Sequence, residues 1–370
     1  MDVARTITVR DLVVALDREF PIAWADSWDR VGLVAGDHDA PVRSVLVTLD
    51  ADRAAVHRAV AGGYDVLLTH HPAALEVSLP LIVGGKDAVL VDAMAAHVAL
   101  VSFHTNLDRA PAGAEALPKL LGLHIVEPLE ASEEPVAVVT TFAPFDAADG
   151  VRDALTAAGA GRVGLYSGCS FSGAGTGRYV AHEGSAPKIG GRGAYAGEEV
   201  RIEATCPPAI AGAVLSAVRD VHPYEEPTIT VVTGELSRGA ARLGRLCELE
   251  EPESLSVFAA RCASVLSVDA RVWGDPGRAV RRVAVGNGSV RSLIGRAIAM
   301  DADALLGGEV RYHDARAALD AGLAVIEAGH DATEWPLVHV LARAAREALG
   351  DRASVTEEEP AVGWWTTERR

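Results

Sequence analysis

Cysteine is scarce and scattered in this chain. Cys169, Cys206, Cys247 and Cys262 are spread over 370 residues, and no two of them form a Cys-x-x-Cys pair. That excludes a disulfide framework and a cysteine-rich structural zinc site. It fits thiols kept reduced in a cytoplasmic protein. No apolar run reaches the roughly 18 residues that a membrane-spanning helix needs. The first residues, MDVARTITVRDLVVALDREF, carry acids inside an amphipathic stretch and lack the apolar centre of a secretion signal. Positive charge is also in short supply: 34 Lys and Arg face 51 Asp and Glu, a net charge of −17. A polyanion would be repelled, which argues against nucleic acid and anionic membranes as partners. A small anionic substrate remains compatible, because bound cations can make one pocket locally positive. No Gly-x-x-x-x-Gly-Lys-Ser/Thr loop is present, so P-loop nucleotide hydrolysis is excluded.

The apolar fraction, 49%, is ample for a packed core. In the first third, apolar residues at helical spacing predict a helix over Arg10 to Phe20, stopped by Pro21. Val42 to Leu49, Tyr64 to Leu68 and Val98 to Phe103 read as buried strands. Helices over Asp52 to Ala61 and Lys86 to His97 separate them. The last third repeats this alternation, with strands at Arg282 to Val285, Ala302 to Leu306 and Leu323 to Glu327 and a helix over about Thr333 to Leu349. The tail after Gly350 shows no clear periodicity. The middle differs: strand-like runs Ala137 to Phe142, Glu199 to Cys206 and Thr228 to Thr233 alternate with helical runs Ala147 to Ala158 and Pro208 to Val221. That order is ferredoxin-like. The expectation is an α/β protein with a three-layer core of largely parallel sheets. Residues 1–127 and 244–370 would form that core, and residues 128–243 an inserted α+β domain.

Histidines and carboxylates recur where the core strands end: His70 and His71, His104 and Asp108, His330 and Glu334. The carboxyl edge of an open α/β sheet is where ligands bind, and imidazole with carboxylate suits zinc, manganese or iron. Each residue alone has a blander role. His70 and His71 would be turn histidines, Asp108 a turn carboxylate, and Glu334 a helix-start acid that complements the dipole. Their joint fall on one sheet edge favours a two-metal site of His70, His71, Asp108, His330 and Glu334. The turn Gly286-Asn287-Gly288-Ser289 before a helix is either an anion cradle or a plain connection.

These stretches resemble a known family, the Nif-three-like dinuclear-metal hexameric proteins, often catalogued as GTP cyclohydrolase type 2 homologues. The resemblance rests on Ser27-Trp28-Asp29-Arg30-Val31-Gly32-Leu33, Leu68-Thr69-His70-His71-Pro72, His104-Thr105-Asn106-Leu107-Asp108, Tyr312-His313-Asp314-Ala315 and Gly329-His330-Asp331-Ala332-Thr333-Glu334. The middle resembles the PII/CutA-like insert of the family's long form, through Tyr166 to Phe171, Gly175 to Gly177 and His222 to Pro227. Arg30 and Glu309 depart from the family's usual Asn and Asp. The resemblance implies two divalent ions per chain, with Glu334 bridging them. It places His104 beside the metals, orienting a ligand or carrying protons, and it implies a homohexamer of two stacked trimers.

Three functions follow as expectations. The first is a metal-dependent hydrolase of a nucleotide or similar anion, GTP cyclohydrolase-like, with His104 as catalytic proton carrier. The second is a non-catalytic metal carrier or regulatory protein. The third, a structural metal, ranks last because no cysteine joins the cluster.

Overall fold

Short apolar runs closed by turn residues set the frame of the core. The computed structural model describes residues 6–359 apart from 27, 78, 79, 132, 165 and 238. The chain enters through helix Val9–Glu19 and strands β1 (Gly32–Ala35), β2 (Ser44–Thr48), β3 (Val66–Thr69), β4 (Ala99–Ser102) and β5 (His124–Pro128). An inserted segment carries β6 (Glu133–Pro144), β7 (Phe171–Ala181), β8 (Gly193–Cys206) and β9 (Ile229–Ser237). The chain returns through β10 (Arg245–Ser254), β11 (Arg271–Trp273), β12 (Ala279–Val285), β13 (Ala304–Gly307), β14 (Ala324–Glu327) and β15 (Ser354–Glu357).

The first sheet has the order β1-β4-β3-β2-β15. β4, β3, β2 and β15 run parallel, and β1 runs antiparallel to β4. β2, β3 and β4 are almost wholly apolar, as a sheet covered on both faces requires. Val56 and Ala59 of helix Arg53–Gly62 and Leu90 and Ala93 of helix Ala88–Ala95 pack with Leu46, Leu67 and Leu100. On the opposite face, helix Val9–Glu19 and helix His330–Leu349 pack with Val45, Val47, Val66, Leu68 and Val101. Helix Arg53–Gly62 starts where Asp52 accepts the Ala55 N–H at 2.6 Å, and it ends at Gly63, whose φ is 68°.

The second sheet has the order β11-β14-β13-β12-β10-β5. Only β12, β13 and β14 are parallel; β11, β10 and β5 are antiparallel to their neighbours. The expectation of largely parallel sheets therefore holds for the first sheet and is corrected to a mixed one for the second. β10 carries Glu248, Glu250, Glu251 and Glu253, which hid it among polar positions. The tail reading is corrected too. Ser-Val-Thr-Glu at β15 adds an edge strand to the first sheet, and half-buried Val355 and Glu357 alternate with exposed Ser354 and Thr356.

The inserted unit follows β-α-β-β-α-β, with helices Ala148–Ala157 and Ala211–Val221. Its four strands are antiparallel in the order β7-β8-β6-β9. Val151, Leu155, Val214 and Val218 of the helices pack on Val139, Ile202 and Ala204. This is ferredoxin-like topology. Contacts group residues 1–131 with 240–370 as one unit and 132–239 as another. Among the described residues no helix is long and apolar enough to cross a membrane.

Within the first unit, the insert's points of departure and return are neighbours. Leu129 N–H donates to Gly244 O at 3.2 Å and Glu130 N–H to Leu243 O at 3.0 Å, extending the β5–β10 pair. A chain in which a short Asn-Gly-containing turn replaces residues 132–239 should therefore keep a cooperative thermal transition. Circular dichroism on heating checks this, and a broad, non-cooperative melt would count against an independently folded core.

Candidate metal centre

The carboxyl ends of the parallel strands deliver the polar groups. β2 leads to Asp50, β3 to His70 and His71, and β4 to His104. The turn after β3 is tied down by Thr69, whose hydroxyl donates to His71 O at 2.7 Å, and by His71 N–H, which donates to Leu49 O at 2.9 Å. Helix Thr105–Arg109 follows β4 at once and presents Asp108. From the second sheet, β14 is followed by Ala328 and Gly329 (φ 92°), and helix His330–Leu349 then carries His330 and Glu334 one turn apart. All five residues expected as ligands are brought together, and His104 joins them. Three groups place ligand atoms within 4.8 Å of one another: His70–His71–His104, His71–His330–Glu334 and His70–Asp108–Glu334.

Each inner imidazole has one nitrogen already committed. His70 Nδ1 lies 3.0 Å from Phe103 O, which can only accept, so Nδ1 carries the proton. His71 Nδ1 donates to Asp50 Oδ1 at 2.8 Å, and His104 Nδ1 to Asp29 Oδ1 at 2.9 Å. With Nδ1 so engaged, each Nε2 is the nitrogen turned into the cluster, the orientation of histidines that ligate metals. His70 is fully buried, and its Nε2 stands 3.7 Å from Asp108 Oδ2 and 3.8 Å from Glu334 Oε1, too far to hydrogen-bond. His71 Nε2 is 2.9 Å from Glu334 Oε2, and His330 Nε2 is 3.1 Å from Glu334 Oε1. Among the described residues, buried His70 Nε2 finds no hydrogen-bond partner. Leaving such an atom unmatched costs ~1–3 kcal/mol. A divalent cation between that imidazole and the Asp108 and Glu334 carboxylates would answer it, so these residues fit a metal site.

Proton affinities express the same demand for positive charge. Burial disfavours a charged His71, yet Asp50 and Glu334 outweigh it and hold its pKa up to about 10. Burial likewise opposes protonation of His70, and Asp108 and Glu334 overcome it. Burial raises Asp108, whereas the three histidines facing Glu334 hold that carboxyl well below its usual range against burial. Asp29 is pulled down to about 2, because hydrogen bonds from His104 and Thr105 overcome its burial.

Glycine permits the two sheet edges to close on this cluster. Gly288 sits at φ 52°, and a Cβ there would strike Glu334 Oε1 and approach His330 Nε2 to 3.0 Å. A Cβ on Gly308 would stand 2.7 Å from Gly288 O, His330 Cα and Thr333 Oγ1. In the turn Gly286–Ser289, Gly286 N–H donates to Leu306 O at 3.0 Å and Gly288 N–H to Thr333 Oγ1 at 3.1 Å. With those amides committed, the turn serves as a close-packed wall.

Sequence reasoning missed four supporting residues. Asp50 and Asp29 hold His71 and His104, Asn287 donates to Asp108 Oδ1 at 3.4 Å, and Thr333 receives the Gly288 amide. Asp50 carried a signal, since it too ends a core strand. Asp29 is 75 residues from its partner His104, and only the fold pairs them.

Comparison with known proteins adds to this geometry. The family model described as Duf34/NIF3 (NGG1p interacting factor 3) matches residues 7–359. A Mycobacterium leprae protein named GTP cyclohydrolase 1 type 2 homolog is 35% identical over 93% of this chain and 91% of its own. A Bacillus subtilis protein of the same name is 30% identical over 88% and 89%. Among solved structures, a Bacillus cereus protein related to NIF3 superposes with a TM-score of 0.67 at 28% identity, covering 98% of this chain and 100% of that one.

Gly288→Ala should lose bound metal, while Gly63→Ala should not. Both positions have positive φ, 52° and 68°, but a Cβ at Gly63 meets nothing within 4 Å. Each substitution carries a backbone cost of ~1–2 kcal/mol, and only the first displaces Glu334. Elemental analysis of the two purified variants checks this; equal metal content would remove the wall role assigned to Gly288.

Proposed function

The chain belongs to the Duf34/NIF3 family, and on that premise we propose that it is a dinuclear-metal-dependent hydrolase of a nucleotide or a similar small anion. GTP cyclohydrolase-like activity is the first candidate. The observation that carries this reading is the single cluster in which His70, His71, Asp108, His330 and Glu334 bring donor atoms together. The names of the curated relatives suggest the substrate. His70 and Asp108 would hold one ion and His71 and His330 the other. Glu334 belongs to both groups, which supports a bridging role. Zinc, manganese and iron all suit this donor set. When bound, such ions supply the positive charge that makes a water more acidic and offsets an anionic substrate.

The chain's own contribution to proton transfer would be His104. Asp29 remains ionised and holds the Nδ1 proton, so Nε2 is the atom that takes up and returns a proton. Thr105 fixes Asp29 through its N–H at 3.0 Å and its hydroxyl at 2.6 Å, which keeps the imidazole aimed. A metal carrier would use the same ligands, and turnover by the loaded protein is what separates it from the hydrolase.

The reading extends to architecture and assembly. We take the core, residues 1–127 with 244–370, as three-layer α/β and the insert, 128–243, as PII/CutA-like, an assembly or regulatory module. The assembly would be a cytoplasmic homohexamer built as a dimer of trimers.

Metal-loaded protein incubated with GTP and a nucleotide panel should release formate or a ring-opened product, detected by mass spectrometry, and His330→Ala should abolish it. Inertness of fully loaded protein toward the panel would favour the carrier. Glu334→Ala should lower occupancy of both ions in elemental analysis; loss of one alone would remove the bridge. His104→Ala should keep two ions per chain and lose about 10²–10⁴-fold in turnover, the usual weight of a positioned acid–base group. Loss of an ion in that variant would make His104 a ligand instead.

A further inference from the structure

Beside the cluster stands an indole that metal binding does not use. Aromatic residues are only 5% of the chain, yet Trp28 leaves 53% of its surface exposed. Its ring stands edge-on to His104, with centroids 6.0 Å apart and planes at 77°. The His104 ring lies 5.1 Å from that of His70 and 5.5 Å from that of His71. Trp28 is thus one ring removed from the candidate metal ligands.

Its backbone is held rigidly. The neighbouring Asp29 side chain is fully buried and accepts from Arg30 N–H (2.7 Å), Thr105 N–H (3.0 Å), Thr105 O–H (2.6 Å) and His104 Nδ1–H (2.9 Å). Both residues flanking Asp29 are therefore carried on a fixed lip. Two residues beyond Arg30, Gly32 pairs with Ser102, and His104 lies two residues past Ser102, so the lip runs alongside His104. The exposed Arg30 guanidinium donates to Asp29 O at 3.2 Å and, among the described residues, has no carboxylate partner. Nearby Arg109, by contrast, is matched by Asp26 and Glu130 at 3.0 and 2.7 Å.

We propose that Trp28 and Arg30 are the specificity element of this site, Trp28 stacking on the flat heterocycle of a nucleotide and Arg30 binding its phosphate. The inference rests on the hydrolase reading and narrows its substrate class to a base joined to a phosphate. An exposed indole beside the reacting centre offers a π-face that any planar base covers, with release of water. A guanidinium with donors to spare matches phosphate oxygens in a fork. Because Asp29 fixes both neighbours, little ordering cost falls on binding.

The test uses the full chain loaded with metal, and equilibrium dialysis against GMP, guanosine and ribose 5-phosphate. Wild type should bind GMP more tightly than either fragment. Trp28→Ala should weaken GMP and guanosine about ten-fold, the weight of one base–aromatic stack, with ribose 5-phosphate affinity and metal content unchanged. Trp28→Tyr, which keeps a ring, should retain most of the affinity. Arg30→Gln should weaken GMP and ribose 5-phosphate and spare guanosine. If wild type binds GMP and Trp28→Ala binds it equally well, the stacking role is overturned while the hydrolase reading stands. If loaded wild type binds none of the three probes, the specificity element and the nucleotide reading beneath it are both overturned.

Discussion

The rest of the site depends on where three imidazoles place their Nδ1 protons. Phe103 O, Asp50 and Asp29 each take one, so His70, His71 and His104 turn their other nitrogens inward. Opposite them lie two carboxylates, Asp108 and the nearly buried Glu334. Lone pairs facing lone pairs in a low-dielectric pocket repel unless a cation separates them. Without metal the cluster answers with protons, as the raised affinity of His71 shows. Divalent ions answer with more charge and fixed direction.

Such a pocket persists because apolar packing outside it dictates position. Helix His330–Leu349 begins at the edge of the second sheet and lays Leu337, Val338, Leu341, Ala342, Ala345 and Leu349 against the first. Each fully buried Leu or Val contributes ~1.5–3 kcal/mol, so the helix is held independently of its first turn. Glu334, one turn into that helix, is therefore driven into the cluster whether or not its charge is matched. Gly288 and Gly308 then allow the opposing loops to approach without meeting a Cβ. The same rigidity reaches the first sheet through Asp29, which fastens the segment after helix Val9–Glu19 to the end of β4.

Legibility in the sequence followed burial. β2, β3, β4, β13 and β14 are short apolar runs, and their periodicity and bounding turns revealed them. The five candidate ligands were legible as a set because each follows such a run or lies in the helix after it. β15 and β10 were not, since one covers only a sheet edge and the other alternates apolar residues with glutamates. The supporting acids escaped for a different reason. Asp29 and Asp50 act only through partners that the fold brings to them, 75 and 21 residues away. Hydrogen bonds of that kind leave no local period.

The donors are also graded in depth. The His70 side chain is fully buried and Glu334 is 5% exposed, His104 reaches 16%, His71 23% and His330 39%. His70 and Glu334 form a floor, and His330 opens toward solvent with exposed Glu309 3.5 Å from its Nδ1. A structural metal is sealed by its ligands on every side, whereas a catalytic one keeps an approach open. The gradient gives this cluster one open side. His104, at 16%, stands in that gradient between the buried floor of His70 and the more open His330.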